Sequence, residues 1–133
     1  MTWLGTVDDI DSAGSHVLLD YVNYKRGETG DGEWVLSVLR ECIRKSGVRE
    51  VHSHVEIFDG EDSPPGFAAV VLIDESHVTA HCYSERGILA IDVFTCGDSN
   101  PSGVAAMIND VLVSEIPGLR KVFEKRVERF RSD

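Results

Sequence analysis

The sequence predicts a two-layer α+β sandwich, in which a mainly antiparallel sheet carries helices packed on one face. Segments of strand length recur along the chain, either as continuous apolar runs or with apolar and polar residues alternating. Two other segments repeat their apolar residues at one-turn spacing, and the overall order is strand, helix, three or four strands, helix and a final element. A chain of 133 residues is long enough for one domain, residues 1–133, with a buried core. Helices on one face would leave the other sheet face available to another subunit.

The N-terminal half is predicted to form a strand, a helix and a second strand. Residues 15–21 have the length and apolar content of a buried strand. After a glycine-rich connection, apolar residues at one-turn spacing predict a helix that Asp31 caps and Gly47 ends. The next segment alternates apolar and polar residues, which is typical of a half-buried strand. Its apolar positions are Val51, Val55 and Ile57.

The middle of the chain is predicted to form a central strand followed by a hairpin. Residues 67–73 are a continuous apolar run bounded by turn residues, which indicates a central strand. Residues 77–83 alternate polar side chains on one side with apolar ones on the other. A connection over residues 84–87, which contains glycine, then leads into a strand over residues 88–95.

This hairpin governs which reactive side chains meet. We expect it to bring His81 and Cys96 to the same end of adjacent strands. Regular alternation would place Ser76 and His81 on opposite faces, so a bulge or turn near Ser76 would be needed to join them.

The C-terminal part is predicted to contain a second helix and a final strand. Asn100 or Ser99 caps the helix, and the Pro117–Gly118 pair ends it. The tail that follows fits a helix loosely, but residues 122–129 also fit a charged edge strand, which we favour.

Composition narrows the classes of partner. The net charge of −10 argues against nucleic acid, because neutralising phosphates requires a basic surface. It fits a cationic small molecule, while acidic surfaces also serve solubility alone. No segment approaches the roughly 20 apolar residues that cross a bilayer, and the first residues lack a secretory signal, so we expect a cytoplasmic protein without a membrane partner.

Cysteine and histidine spacing favours neither disulfides nor a metal. The three cysteines are an odd number without paired zinc-type spacing, which predicts reduced thiols. The pairs His52 with His54 and His77 with His81 could bring imidazoles together on strands. Helical ligand spacing and paired cysteines do not accompany them, so we expect no metal.

Two short runs concentrate the chemically active side chains. The first contains Glu75, Ser76 and His77, followed by His81 and Glu85. The second reads Ile91-Asp92-Val93-Phe94-Thr95-Cys96-Gly97-Asp98. In content and separation they resemble the self-cleavage and catalytic segment of the prokaryotic S-adenosylmethionine decarboxylases. The resemblance is concentrated in residues 66–98, and residues 14–20 look like the family's opening strand.

The resemblance implies a pyruvoyl-dependent enzyme that makes its own cofactor. In the family the chain cuts itself at the position between Glu75 and Ser76, and the serine becomes a covalent pyruvoyl group. That group forms a Schiff base with the substrate amine and acts as the electron sink for loss of carbon dioxide. By the same resemblance, His81 supports processing, Cys96 donates a proton to the intermediate, and Glu85 binds the ribose hydroxyls of the substrate.

The family also implies a partner and a metabolic role. Its members supply the aminopropyl donor for spermidine and other polyamines. Prokaryotic members associate as dimers with active sites near the subunit interface. The resemblance therefore implies a homodimer that acts on a small-molecule substrate.

The chain departs from the family pattern at several positions. Ala68 stands eight residues before Ser76, where the family usually carries a serine that assists processing. The segment that normally supplies an aromatic ring for adenine is lengthened here, and Phe58 or Phe67 could take that role. These departures leave open two alternatives: a homologue that binds or regulates without processing, and a pyruvoyl-dependent decarboxylase of another amino acid such as arginine or ornithine.

Overall fold

The computed structural model describes residues 14–27, 29–96 and 99–130. The elements in chain order are β1 (Gly14–Val22), α1 (Asp31–Ser46), β2 (Glu50–Phe58), β3 (Gly66–Ile73), β4 (Ser76–Tyr83), β5 (Ile88–Cys96), α2 (Pro101–Glu115) and β6 (Arg120–Arg129). The acidic N-terminal residues and the last two residues of the second run, Gly97 and Asp98, lie outside the described ranges.

The six strands form one antiparallel sheet in the order β2-β3-β4-β5-β1-β6. Both helices cover the same face, because the alternate strand residues that point toward them are buried with the apolar faces of α1 and α2. The largest fully buried side chains include Tyr21, Leu39, Ile91 and Ile108, from two strands and both helices. The predicted two-layer α+β sandwich is therefore confirmed.

The helix ends follow the prediction except at the start of α1. Gly47 takes the left-handed conformation at the C-terminus of α1, with φ of 82°. Asp31 as the N-terminal cap is wrong, because the capping position is Gly30 and no side chain caps it. The Asp31 carboxylate instead lies 3.0 Å from the Arg26 guanidinium. Asn100 caps α2 as predicted, accepting a hydrogen bond from the Ser102 N–H at 3.0 Å.

The first edge strand, β2, is more exposed than its alternation predicts. The register between β2 and β3 shifts between Glu50 and His52, and Val51 at this irregularity is 54% exposed. Ile57 is 53% exposed near the other end, whereas Val55 packs against the core. The half-buried pattern predicted for β2 therefore does not hold at Val51 and Ile57, although Ile57 still lies on the helix side, near Gly32 of α1.

The second edge strand, β6, confirms the favoured interpretation of the C-terminal tail. It pairs with β1, and charged side chains join the two strands to α2. The Ser15 hydroxyl donates to the Glu128 carboxylate at 2.6 Å, while Arg126 donates to the hydroxyls of Ser15 and Ser102. Neither α1 nor α2, the helices of the described ranges, has the length and apolar character to cross a membrane.

The open face is the sheet face turned away from both helices. On β4, the polar residues His77, Thr79, His81 and Tyr83 lie on this side, and the other residues of the alternation are buried under the helices. The predicted alternation of β4 is confirmed. The chemistry-bearing side chains of this strand thus share a surface that the helices leave uncovered.

Candidate active site

The turn between β3 and β4 contains the peptide bond singled out by the sequence. Ile73 pairs with Ser76, so only Asp74 and Glu75 connect the two strands. Glu75 has a φ of 60°, a conformation that favours glycine and costs a residue with a side chain roughly 1–3 kcal/mol. The Arg49 guanidinium holds Asp74 through hydrogen bonds of 2.8 and 3.0 Å and lowers the pKa of its carboxyl. The strained residue therefore lies directly before Ser76, in a turn anchored by the residue that precedes β2.

Ser76 and Cys96 come together at one end of the sheet. The Ser76 hydroxyl oxygen accepts a hydrogen bond from the Cys96 N–H at 3.0 Å. Both residues are partly exposed. We call this region, with Glu75, Ser76 and Cys96, the Ser76 end of the sheet.

His81 does not join them. It pairs with Ala90, six residues before Cys96, which places the two roughly 20 Å apart along the strand. The expectation that His81 and Cys96 share an end is therefore wrong, because the antiparallel register brings Cys96 back to the start of β4. His81 also lies roughly 16 Å from Ser76, and β4 pairs regularly with both neighbours from Ser76 and His77 onward.

His81 instead lies between two hollows on the open face. One, of about 290 Å3, lies over β1, β4 and β5 and is lined by Asp20, Tyr83 and Ile88. The other, of about 300 Å3, lies beneath the β2–β3 loop, with Phe58 and Ala68 in its wall. Ala68 pairs directly with His81 across β3 and β4, so the position of the missing family serine faces His81 rather than Ser76.

The proposed substrate-binding residues lie at the opposite end, which we call the Glu85 end (Phe58, Tyr83 and Glu85). Glu85 is exposed in the connection between β4 and β5. Phe58 ends β2 and is 36% exposed. Phe67 is only 4% exposed, and its ring centroid lies 6.4 Å from that of Tyr24 in the core. Of the two aromatic candidates, Phe58 is the one that a ligand can reach.

Sequence reasoning missed a histidine cluster on the open face beside the Ser76 end, made of His16, His77, Asp92 and Phe94. The His77 ring centroid lies 5.5 Å from that of Phe94 and 6.2 Å from that of His16. The His16 Nε2 atom is 3.5 Å from the Asp92 carboxylate, an ion-pair distance without hydrogen-bond geometry. The Thr79 hydroxyl donates to Asp92 at 3.3 Å.

Burial sets the protonation state of His77. Desolvation lowers its pKa, as do the charges of His16 and Arg129, while Asp92 opposes them. His77 is therefore neutral at neutral pH. The signal that could have found the cluster was the alternation in β1, which puts His16 on the same face as Asp20, combined with the match of residues 91–94.

The three thiols differ in accessibility. Cys42 and Cys82 are buried under the helices, and burial raises the pKa of Cys82 to about 12. Cys96 is partly exposed. Within the described ranges, no three His, Cys, Asp or Glu side chains group closely enough to hold a metal ion.

Comparisons with known proteins agree with the sequence motifs. The sequence model of a family described as S-adenosylmethionine decarboxylase matches residues 15–123. A protein of Geobacillus sp. (strain WCH70), named S-adenosylmethionine decarboxylase proenzyme, is 32% identical over 128 residues, covering 90% of this chain and 98% of its own length. A protein of the same name from Clostridium tetani is 37% identical over 91 residues, covering 67% of this chain and 68% of its own.

The fold has a solved counterpart. The crystal structure of the adenosylmethionine decarboxylase from Aquifex aeolicus VF5 superposes with a TM-score of 0.65 at 23% identity, covering 90% of this chain and 92% of that one. At this identity the likeness concerns the fold alone.

Proposed function

Because the chain belongs to the S-adenosylmethionine decarboxylase family, we propose that it decarboxylates S-adenosylmethionine and thereby supplies the aminopropyl donor for polyamine synthesis. The observation that carries this proposal is the family match over residues 15–123, which contains both chemical runs. The net charge of −10 adds support, because the substrate is a sulfonium cation that a negative surface attracts.

The proposal includes self-cleavage between Glu75 and Ser76, which leaves a pyruvoyl group at position 76. The local geometry fits this group, since Ser76 opens a strand directly after a strained residue and lies beside Cys96. The curated relatives are named proenzymes, which agrees with processing. When formed, the group supplies the electron sink for loss of carbon dioxide.

In the cleavage itself, the chain provides the nucleophile and the strain. The Ser76 hydroxyl oxygen forms an ester with the Glu75 carbonyl carbon, the bond from that carbon to the Ser76 nitrogen breaks, and the hydroxyl proton passes to the released nitrogen. Removal of the Ser76 Cα proton then expels Glu75 as a free carboxylate and leaves dehydroalanine at position 76. Water hydrolyses the dehydroalanine to the pyruvoyl group and releases the nitrogen as ammonia. The left-handed Glu75 raises the energy of the uncut turn and so favours its opening. The Cys96 N–H fixes the Ser76 hydroxyl oxygen at the strand end.

In turnover, Cys96 holds the proton that replaces the departing carboxylate, because its thiol is the accessible one and its backbone N–H contacts Ser76. Glu85 accepts hydrogen bonds from the ribose hydroxyls, and Phe58 stacks on the adenine. The role of His81 in processing stays a prediction from the family; within its own chain it lies roughly 16 Å from Ser76 and lines the two hollows.

The separation of the two ends supports a homodimer with shared sites. Ser76 and Tyr83, at opposite ends of β4, are roughly 23 Å apart, and Glu85 lies beyond Tyr83. One substrate molecule does not bridge that span within one subunit. A two-fold pair of open faces brings the Glu85 end of one subunit to the Ser76 end of its partner.

The test is the intact mass of freshly purified, denatured protein, followed by an assay of carbon dioxide release. We expect fragments of residues 1–75 and 76–133, the second beginning with a pyruvoyl mass, and release from S-adenosylmethionine but not from arginine or ornithine. A single uncut mass that persists after long incubation, with no release, would overturn the proposal in favour of a non-processing homologue. Release of carbon dioxide from arginine or ornithine instead would show that S-adenosylmethionine is not the substrate.

A further inference from the structure

The register of three strands places the histidine cluster next to Cys96. Phe94 pairs with His16 on β1 and with His77 on β4. Cys96 follows Phe94 by two residues, so both lie on the open face, and Cys96 is the diagonal neighbour of both histidines. Diagonal neighbours in antiparallel strands are roughly 7–8 Å apart, a span that an imidazole and one water molecule cover.

Packing fixes the ring of His77 in this position. Phe94 contacts it from β5, and the edge of His16 meets it nearly at right angles, with an interplanar angle of 86°. Arg129 extends from β6 over the Phe94 ring, 5.5 Å from its centroid. The ring contacts with His16 and Phe94 restrict rotation of the His77 ring.

We propose that His77 is a positioning residue for Cys96, passing protons from solvent to the Cys96 sulfur after each turnover. The inference rests on the proposed function, in which Cys96 gives its proton to the substrate carbon and is left as a thiolate. The neutral imidazole takes a proton from water at one nitrogen and donates the proton on its other nitrogen to the sulfur. One solvent proton thus replaces the one lost, and the ring ends neutral.

The surroundings of His77 suit this task. Burial, His16 and Arg129 lower its pKa, and Asp92 works against them, so the ring is neutral and both accepts and donates a proton. The described histidines outside the cluster are poorly placed: His81 lies roughly 20 Å from Cys96, and His52 and His54 are on the edge strand β2.

The experiment measures the chemical reactivity of Cys96 rather than turnover. The purified protein is treated with iodoacetamide from about pH 5 to about pH 9, which brackets the ordinary histidine and thiol ranges, and modified Cys96 is quantified by peptide mass spectrometry. The plot of Cys96 modification against pH should show a shoulder at the pKa of His77, because a protonated imidazole beside the sulfur favours the thiolate. The assay needs neither substrate nor cleavage, so it separates this inference from the proposed function.

Variants of three cluster residues give distinct expected results. His77→Gln should remove the shoulder, His16→Gln should move it to higher pH, and Asp92→Asn should move it to lower pH. His52→Gln, an exposed histidine on β2, serves as the matched control and should match the wild-type profile. The two shifts keep the test valid even where His77→Gln fails to fold.

Turnover provides the second readout. In the processed enzyme, His77→Gln should lower kcat by about a hundredfold, the low end for a positioned proton-transfer group, with KM unchanged. A shoulder that survives in His77→Gln, or that stays in place in both charge variants, would overturn the proposal. An equal change in KM and kcat without a change in the profile would show a structural role only.

Discussion

The turns on either side of β4 each contain a residue with a similar positive φ, which is a glycine in one turn and a glutamate in the other. At the Glu85 end, Gly87 has a φ of 63°, which glycine adopts without strain. At the Ser76 end, Glu75 has a φ of 60° and bears a full side chain. One strand thus has a relaxed turn at one end and a strained turn at the other. Strain is retained next to the bond that we propose is cut.

The largest expected effect comes from removing the nucleophile at the strained end. Ser76→Ala should abolish both cleavage and decarboxylation, because no other hydroxyl starts the ester step. Intact mass and carbon dioxide release measure the two outcomes. Ser84→Ala, at the relaxed hairpin, is the control and should be cut like the wild type. Decarboxylation that persists in Ser76→Ala would rule out the pyruvoyl mechanism.

Removing the thiol should separate cleavage from turnover. Cys96→Ala keeps the backbone N–H that contacts Ser76, so we expect cleavage to proceed while kcat falls by roughly a hundred- to a thousandfold. Single-turnover kinetics on the cut protein measure the loss. Cys42→Ala, a buried thiol under the helices, is the control. Wild-type kcat in Cys96→Ala would mean that another group supplies the proton.

A change at the relaxed end should affect binding alone. Glu85→Gln should leave cleavage intact and raise KM by roughly ten- to a hundredfold, since hydrogen bonds to a charged group contribute about 1.5–3 kcal/mol.

Coexpression of Glu85→Gln and Ser76→Ala chains then tests whether subunits share a site. Measured at substrate concentrations well below the wild-type KM, a random mixture should recover about a quarter of wild-type activity, because each mixed dimer contains one intact site when the site spans a two-fold interface. No recovery, with mixed dimers present by native mass spectrometry, would place both residues in the site of one subunit.

The smallest expected effect concerns the strain itself. Glu75→Gly should slow cleavage by about fivefold, because relief of about 1 kcal/mol in the uncut turn raises the barrier by that amount. The rate is followed by gel or mass after synthesis in a cell-free system. Asn23→Gly, at a φ of 64° outside the site, should stabilise the fold without changing the rate. Equal or faster cleavage of Glu75→Gly would show that strain does not assist it.

Local patterns predicted most of the fold. The alternation over residues 77–83 assigned both faces of β4 correctly, because side-chain direction follows from strand geometry alone. The predictions for Asp31 and Val51 were wrong for reasons outside their own segments. Arg26 pairs with the Asp31 carboxylate, and Val51 is exposed where the pairing of β2 with β3 is irregular.

The candidate site was harder to predict because it depends on register. Pairing of Tyr83 with Ile88 across the connecting loop already requires His81 to face Ala90, so counting residues could have separated His81 from Cys96. For the histidine cluster, local alternation puts His16 on one face of β1 but does not show that this face adjoins His77 and Phe94. The members of the cluster come from β1, β4 and β5, and β1 joins β5 only through long-range topology.

The strand order has a consequence for the cut protein. Residues before the cleavage bond supply β1, β2 and β3, and residues after it supply β4, β5 and β6. In the sheet, β1 of the first fragment is inserted between β5 and β6 of the second. The two fragments are therefore interdigitated rather than side by side, and separating them breaks three strand pairings, β3 with β4 and β1 with both of its neighbours. Such an enzyme would stay assembled without its covalent link, and once pulled apart its halves would have to find each other and rebuild a shared sheet.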